Sequence, residues 1–285
     1  MKINNERFIK LEKRQLYKYI LLLGIILGFL GILTLYYLFF SEILRTLFHI
    51  EGAWTILIVI LIRIIVLLAM SFYMFHKWLN QESIYLSDIP FLFGLFFIIL
   101  TFGKMLDILT NFTYYTLDTE TFLIILKIRH FVIILTILPM LFLSIGMILY
   151  MRSLKEKRKN LRNEKYRDKL RLKILLLILI SESIAVSLYP NTTIAGIVMA
   201  IIMMPSLLVI TWMFFFAYKN KRLSQVQPLI LAIGFGMYTI SQITRPLIQY
   251  IIGETASYII VSEIIDLTIF ILIFTGLIIE ANYRI

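Results

Sequence analysis

The sequence predicts an all-α integral membrane protein, a polytopic bundle of about eight transmembrane helices with both termini cytoplasmic. Composition is the first observation: hydrophobic residues make up 60% of the 285 positions, charged residues 16%, and the mean hydropathy is +0.91. A soluble domain has about 45–50% apolar and about 25% charged residues. The second observation is a series of apolar runs of about the length that crosses a bilayer. The third is that the basic residues are concentrated in alternate connections between these runs.

The apolar runs define the expected elements. Residues 1–17 form a basic cytoplasmic segment, and residues 18–285 are expected to form one membrane domain. Long Ile, Leu and Phe stretches are typical of helices and differ from barrel strands, which alternate apolar and polar residues. The first run is too long for the core of a signal peptide, so it is interpreted as an uncleaved helix. The eight predicted helices are 18–40, 54–78, 89–109, 121–151, 170–190, 194–218, 228–252 and 257–280.

The distribution of lysine and arginine predicts the orientation. With the amino terminus inside, 22 of these residues lie in cytoplasmic segments and only Arg45 lies in an external one. This asymmetry predicts a multi-pass cell-membrane protein with cytoplasmic N and C termini. The external segments carry acidic residues instead: Glu42, Glu51, Asp118, Glu120 and Glu254.

The longest cytoplasmic connection is the basic loop 152–169. It is expected to extend one of the flanking helices, and the basic stretch 152–173 is expected to contact anionic lipid headgroups. The alternative is that these charges only determine topology. The formal net charge of +11 does not indicate a nucleic-acid partner, because the basic residues flank membrane segments.

Ten charged or titratable residues lie inside the apolar runs and away from their cytoplasmic ends, and they are the most informative feature for function. An ionised side chain in hydrocarbon costs at least about 2.5–3.5 kcal/mol, so it persists when it is paired, solvated or functional. On the predicted topology most of them lie about 9–14 Å below the external surface, at about 1.5 Å per helical residue. They are Arg63, Lys104, Asp107, Lys127, Arg129, His130, Glu182, Arg245, Glu263 and Asp266.

Helical spacing places several of these residues on common faces. Three pairs are three residues apart and therefore share a face: Lys104 with Asp107, Lys127 with His130, and Glu263 with Asp266. Tyr238, Gln242, Arg245 and Gln249 form one polar stripe along the run 228–252. Five lysines and arginines against four carboxylates make the layer nearly neutral, as mutual pairing requires.

Two interpretations of this layer remain open: a water-accessible ligand site, or salt bridges that only fix the neighbours of each helix. Its position on one side of the membrane favours the ligand site, and the slight excess of base favours a small anionic or amphiphilic ligand. The predicted ligand-binding residues are Arg63, Arg129, His130, Arg245, Lys127, Gln242 and Tyr238. The residues predicted to pair or to relay an ion or proton are Glu182, Glu263, Asp266, Asp107 and Lys104.

No motif indicates catalysis. The chain has no cysteine, no H-E-x-x-H zinc motif, no G-x-S-x-G elbow and no phosphate-binding glycine loop. Neither an enzymatic activity, a bound metal nor a cofactor is therefore expected. The methionines of the run 194–218, including Met199 and Met203, are interpreted as packing residues.

Short external loops, polar residues in the outer half and a basic cytoplasmic exit resemble the multi-helix membrane sensor regions of prokaryotic histidine kinases. No sequence motif carries this resemblance, so it assigns no family. The leading hypothesis is a membrane sensor or ligand-binding module, with a separate signalling or transport subunit as an expected partner. The alternatives are a secondary transporter or ion-coupled permease that uses the intramembrane carboxylates, and a structural membrane subunit with a salt-bridged interior.

Overall fold

The computed structural model describes residues 2–155, 162–253 and 255–283, with side chains from residue 14 onward apart from 155, 193, 246, 249, 250 and 252. The middle of the basic loop, Glu254 and Arg284 lie outside the described residues, as does the side chain of Gln249. Within these ranges the chain is helical and contains no strand. The prediction of an all-helical fold is thus confirmed for the described residues.

The described ranges contain nine helices. Each of the eight predicted apolar runs falls on one of them, and the ninth is a short helix in the first connection. The helices are α1 Lys2–Leu38, α2 Phe40–His49, α3 Ala53–Leu79, α4 Ile89–Thr113, α5 Thr119–Lys155, α6 Glu164–Leu188, α7 Thr192–Lys219, α8 Pro228–Ile252 and α9 Ala256–Ile278.

Six helical stretches are long and apolar enough to cross a membrane, so the chain has the character of a helical membrane protein. The last 18 residues of α6 include Arg171, Lys173 and Glu182, which makes it more polar than these six. The number of eight spanning helices and the orientation of the termini stay predictions. The six stretches are Arg14–Leu38, Ala53–Leu79, Ile89–Thr113, Thr119–Leu154, Ile194–Lys219 and Ala256–Ile278.

Side-chain caps begin several helices where the sequence offers a short polar residue. Asn191 accepts from the N–H of Ile194 at the start of α7, and Thr255 accepts from the N–H of Tyr258 at the start of α9. Before α5, the N–H of Thr121 donates to Asp118 Oδ2 at 2.9 Å. This hydrogen bond lowers the pKa of the exposed Asp118 carboxyl. The caps define where the chain leaves each connection and enters the bundle.

The sequence analysis expected a connection at residues 41–53, and the structure instead forms α2 there. Its buried face consists of Ile43 and of Thr46 and Leu47, which follow it by three and four residues. Thr46 Oγ1 donates to the carbonyl oxygen of Phe112 at 2.6 Å, which ties α2 to the last turn of α4. A helix of ten residues is too short to stand out by hydropathy beside the longer apolar runs, although the helical spacing of its buried residues is visible in the sequence.

The bundle is organised around α4, whose membrane stretch is more buried than that of any other candidate span. Helices α3 and α5 pack on either side of it, α7 packs on α8, and α9 packs on both α8 and α3. Helix α1 lies at the periphery, where the Phe29 ring meets the Phe102 ring of α4 edge to face. The interior therefore lies between α3, α4, α5, α7, α8 and α9.

The two ends of the bundle differ in charge and in filling. We call the end where α4 meets α5 the acidic end, because its connections carry Glu51, Asp118 and Glu120, and the opposite end the basic end. Towards the basic end the interior is filled by buried phenylalanines from four helices, Phe93, Phe96, Phe97, Phe214, Phe235 and Phe270. The intramembrane charges lie in the other half, so the apolar and charged parts of the interior are separate.

Candidate functional site

The charged half of the interior is built around Arg63 of α3. Its Nη1 donates to Glu263 Oε2 at 2.5 Å and its Nη2 to Asp266 Oδ2 at 2.9 Å. The Arg63 side chain is only 1% exposed, and its guanidinium also lies 5.1 Å from the centre of the Phe270 ring. The three-residue spacing of the two acids puts both on the face of α9 that meets α3. Arg63 therefore holds α3 against α9.

A second part of the cluster extends the ion pairs to α4 and α5. Lys104 Nζ donates to Asp107 Oδ2 at 2.5 Å and to Glu263 Oε1 at 2.9 Å. Asp107 Oδ1 accepts from Arg129 Nε of α5. Both oxygens of Asp107 and both oxygens of Glu263 thus have cationic partners.

The third part comes from α8. Arg245 Nη2 forms an ion pair with Asp266 Oδ2 at 2.8 Å and donates to the carbonyl oxygen of Ser262 at 2.6 Å. Ser241 Oγ donates to Asp266 Oδ1 at 3.0 Å. The hydroxyl of Tyr258 donates to the carbonyl oxygen of Arg245 at 2.9 Å. These contacts join α8 to α9 beside the ion pairs.

Seven of the ten predicted residues therefore form one network across five helices, which we call the charge network: Arg63, Lys104, Asp107, Arg129, Arg245, Glu263 and Asp266. It contains four cations and three carboxylates, a formal excess of one positive charge. Each carboxylate forms ion pairs with two cations, which offsets the cost of removing it from water. Every carboxylate oxygen of the network therefore has a partner, and the excess positive charge lies on the lysine and arginine side chains.

A cavity of about 690 Å³ lies beside the charge network, between α4, α5, α7, α8 and α9. Lys104, Arg129 and Arg245 contribute to its wall, as do Asp107 and Glu263. The side chains of Arg129 and Arg245 are 28% and 22% exposed, whereas those of Asp107 and Glu263 are 9% and 7% exposed. The cavity wall therefore presents positive charge more than negative charge.

The cavity reaches the acidic end of the bundle. Asn111 and Tyr115 at the end of α4, Thr192 at the start of α7 and Tyr258 at the start of α9 all contribute to its wall. The side chain of Tyr115 is exposed at this end. In the opposite direction lie the buried phenylalanines. The cavity is thus placed to receive a molecule from the acidic end.

Arg63 and Tyr238 were predicted ligand-binding residues, but they lie behind the cavity wall. Arg63 is enclosed by its two carboxylates, and the Tyr238 ring packs 5.2 Å from the Phe270 ring. Gln242, from the same stripe of α8, does line the cavity. Residue spacing along a helix does not determine how that helix is rotated about its axis. This rotation decides which residues of a polar stripe face the cavity.

The remaining predicted residues gather around the end of α6. Lys127 Nζ donates to the carbonyl oxygen of Ser187 at 2.9 Å, in the last turn of α6, where the helix dipole favours a cation. His130 Nδ1 lies 3.0 Å from the hydroxyl of Tyr189, and His130 also contributes to the cavity wall. Lys127 therefore belongs to the α5–α6 contact, not to the charge network.

Glu182 also lies apart from the charge network. Its side chain is buried between α6 and α7, where Ser206 Oγ donates to Oε1 at 3.3 Å. Its other oxygen, Oε2, has no hydrogen-bond partner among the described residues. Equal depth along the helices suggested that Glu182 belonged to one layer, but α6 presents it to α7 instead of to the cavity.

Sequence reasoning missed several polar residues of the site, among them Asn111, Tyr258 and Ser262, which line the cavity, and Ser241, which donates to Asp266. Ser241 lies four residues before Arg245, and Tyr258 and Ser262 lie eight and four residues before Asp266. The same helical spacing that placed the charges on common faces would have found these three. The methionines Met199 and Met203, interpreted as packing residues, also contribute to the cavity wall.

Comparison with protein-family models, with curated proteins and with solved structures gives no match for this chain. Among the described residues, no group of three histidine, aspartate or glutamate side chains stands close enough together to hold a metal ion. The charge network and its cavity are therefore the basis on which a function is argued.

Proposed function

We propose that this chain is a multi-pass membrane sensor or ligand-binding module that takes up an anionic ligand in the cavity beside the charge network. In this proposal eight helices cross the cell membrane, both termini are cytoplasmic, and the acidic end faces outwards. The 22 lysines and arginines on one side against Arg45 on the other support this orientation. The cavity then opens to the exterior.

The observation that carries the proposal is the unequal exposure of the cavity's charges. Arg129 donates to Asp107 from Nε. The Arg129 side chain, which carries two further terminal nitrogens, is 28% exposed. Arg245 pairs with Asp266 through Nη2, and its side chain is 22% exposed. A guanidinium carries five N–H donors in a planar fork that suits carboxylate and phosphate. These two arginines therefore make the wall a site for an oxyanion, and Lys104, which is only 8% exposed, adds positive charge to that wall.

Binding is tested by thermal unfolding of the purified protein in detergent, with sodium acetate and sodium phosphate as probes and sodium chloride at matched ionic strength as the reference. Stabilisation by either probe beyond chloride supports the proposal. Arg129→Gln should weaken that binding about tenfold or more, because charge-assisted hydrogen bonds contribute about 1.5–3 kcal/mol. Arg45→Gln is the matched control, because Arg45 is exposed on α2 outside the cavity. No stabilisation by either probe would contradict the proposal and favour the structural-subunit alternative.

The proposed orientation has its own test, because the chain contains no natural cysteine. Tyr115→Cys at the acidic end should react with a membrane-impermeant maleimide in intact cells. Glu82→Cys, exposed between α3 and α4 at the basic end, should react only after permeabilisation. The opposite pattern would invert the proposed topology.

The anionic lipid partner proposed for the basic stretch 152–173 rests on its exposed residues, among them Arg152, Arg162 and Lys165. Arg171 is turned inward, with its guanidinium 3.0 Å from the centre of the Phe142 ring. Neutralising the three exposed residues should reduce the amount of anionic lipid that co-purifies with the protein in detergent. We further propose that a signalling or transport subunit contacts the basic end.

A transporter is the second candidate, and Glu182 is the observation that favours it. A buried carboxylate outside the charge network, with one oxygen unpartnered among the described residues, is a suitable intramembrane proton carrier. The buried phenylalanines near the basic end oppose it, because they fill the route from the cavity to that side. Proton-coupled uptake of acetate into proteoliposomes, abolished by Glu182→Gln, would favour the transporter over the binding module.

A further inference from the structure

The wall of the cavity has two chemically different parts. Helices α4, α5, α8 and α9 supply the charges and most of the polar groups, whereas α7 supplies mainly Gly196, Met199, Ala200 and Met203. These four residues follow spacings of three, one and three, so they form one face of α7. Leu126 and Ile133 of α5 and Ile259 of α9 add further apolar surface. We call this side the apolar wall.

The apolar wall is informative because a site for an inorganic anion has no need of it. Ligand sites typically combine apolar surface for the body of a ligand with a few polar groups that orient it. A volume of about 690 Å³ also falls within the range of about 300–1,000 Å³ found for organic ligands. Positive charge beside an apolar surface is complementary to a molecule with an acidic group and a hydrocarbon part.

We propose that the ligand is a single-chain amphiphile whose carboxylate or phosphate headgroup lies against Lys104, Arg129 and Arg245, and whose chain lies along the apolar wall. This inference rests on the proposed function and adds the class of ligand to it. Burial of each methylene against Met199, Met203 or Leu126 removes apolar surface from water, so affinity rises with chain length until the wall is covered.

Gly196 provides a direct way to test the position of the chain. It lies on the cavity-lining face of α7, and a Cβ built on it has no heavy atom within 4 Å. The Cβ of a leucine at this position therefore has open space, and we expect its side chain to extend into the cavity. Gly24 of α1 is the matched control, because a Cβ built there also has no heavy atom within 4 Å, and Gly24 lies outside the cavity wall.

The experiment measures binding of radiolabelled acetate, hexanoate and octanoate to the full chain in nanodiscs by equilibrium dialysis, with empty nanodiscs as the reference for partitioning. Octanamide is the neutral probe. Affinity should rise about fourfold for each added methylene, and octanamide should bind at least tenfold more weakly than octanoate. Gly196→Leu should remove most of the gain in affinity from acetate to octanoate, whereas Gly24→Leu should behave as wild type.

The outcomes separate this inference from the function it rests on. Equal binding of acetate and octanoate would overturn the amphiphile and leave an anion-binding module. Equal losses for acetate and octanoate in Gly196→Leu would also overturn it, because the chain and headgroup would then share one position. Failure of all the acids to bind, or octanamide binding as tightly as octanoate, would overturn the proposed function together with the inference.

Discussion

Replacement of Arg63 and of Arg129 by methionine compares two arginines that have the same kind of partner and different surroundings. Arg63 makes ion pairs of 2.5 and 2.9 Å with two carboxylates, and its side chain is 1% exposed. Arg129 makes one ion pair with Asp107, and its side chain is 28% exposed beside the cavity. Methionine is flexible enough to fill either position, so the loss of charge is the main change.

Arg63→Met should lower the free energy of unfolding by about 3–5 kcal/mol, because it leaves two buried carboxylates with an incomplete set of partners. Arg129→Met should lower it by about 1–2 kcal/mol, since Lys104 still pairs with Asp107 and solvent in the cavity reaches that carboxylate. Arg63→Lys retains the charge but not the planar fork, so it should lie between wild type and Arg63→Met.

The assay is equilibrium unfolding in dodecyl maltoside micelles with an increasing mole fraction of dodecyl sulfate, followed by far-UV circular dichroism. The order of stability should be wild type, Arg129→Met, Arg63→Met. Equal losses for the two variants, or a smaller loss for Arg63→Met, would refute the reasoning that burial sets the cost of breaking an ion pair. Acetate binding should be lost in Arg129→Met even where stability is largely kept.

Three further predictions use the same unfolding assay. Gly234→Ala should destabilise the protein by about 1–3 kcal/mol, because the added Cβ would lie 2.6 Å from an atom of α9. Gly236→Ala, whose Cβ would lie 3.6 Å from its nearest neighbour, should be neutral or stabilising by up to about 1 kcal/mol. Equal effects of the two variants would contradict the close approach of α8 and α9. Thr46→Val should cost about 1 kcal/mol by removing the 2.6 Å hydrogen bond to the Phe112 carbonyl, and an unchanged midpoint would argue against that contact. Glu182→Gln should leave stability unchanged or raised, because the carboxylate has no cationic partner among the described residues; a clear loss would show that Glu182 has one.

The elements of the fold could largely be predicted from the sequence because hydropathy is a local property. Each apolar run falls on a helix, and the bounds differ mostly at charged extensions, such as α6, which begins at Glu164 instead of at 170. Helix α2 was missed because a short amphipathic segment has little hydropathy signal, although its buried residues show helical spacing. Hydropathy thus finds helices that face lipid better than helices that pack on a protein surface.

The candidate site could be predicted only in part. Spacing alone indicated that Lys104 and Asp107 share a face, and the structure pairs them at 2.5 Å. It also indicated that Glu263 and Asp266 share a face, and Arg63 bridges them. The assignment of Lys127 and Glu182 to the same layer did not anticipate their partners, Ser187 and Ser206. Depth along a helix is not enough to name a contact.

The sequence by itself determined that the chain is helical, that its interior carries charge, and that this charge lies in one half of the bundle. These properties follow from residue type and from the fixed rise and period of the helix. Only the tertiary structure decided which charges meet, and that the acids are saturated while Arg129 and Arg245 remain partly exposed beside an apolar wall. The physical reason is that pairing depends on how each helix is rotated and offset against its neighbours, which packing across the whole bundle sets.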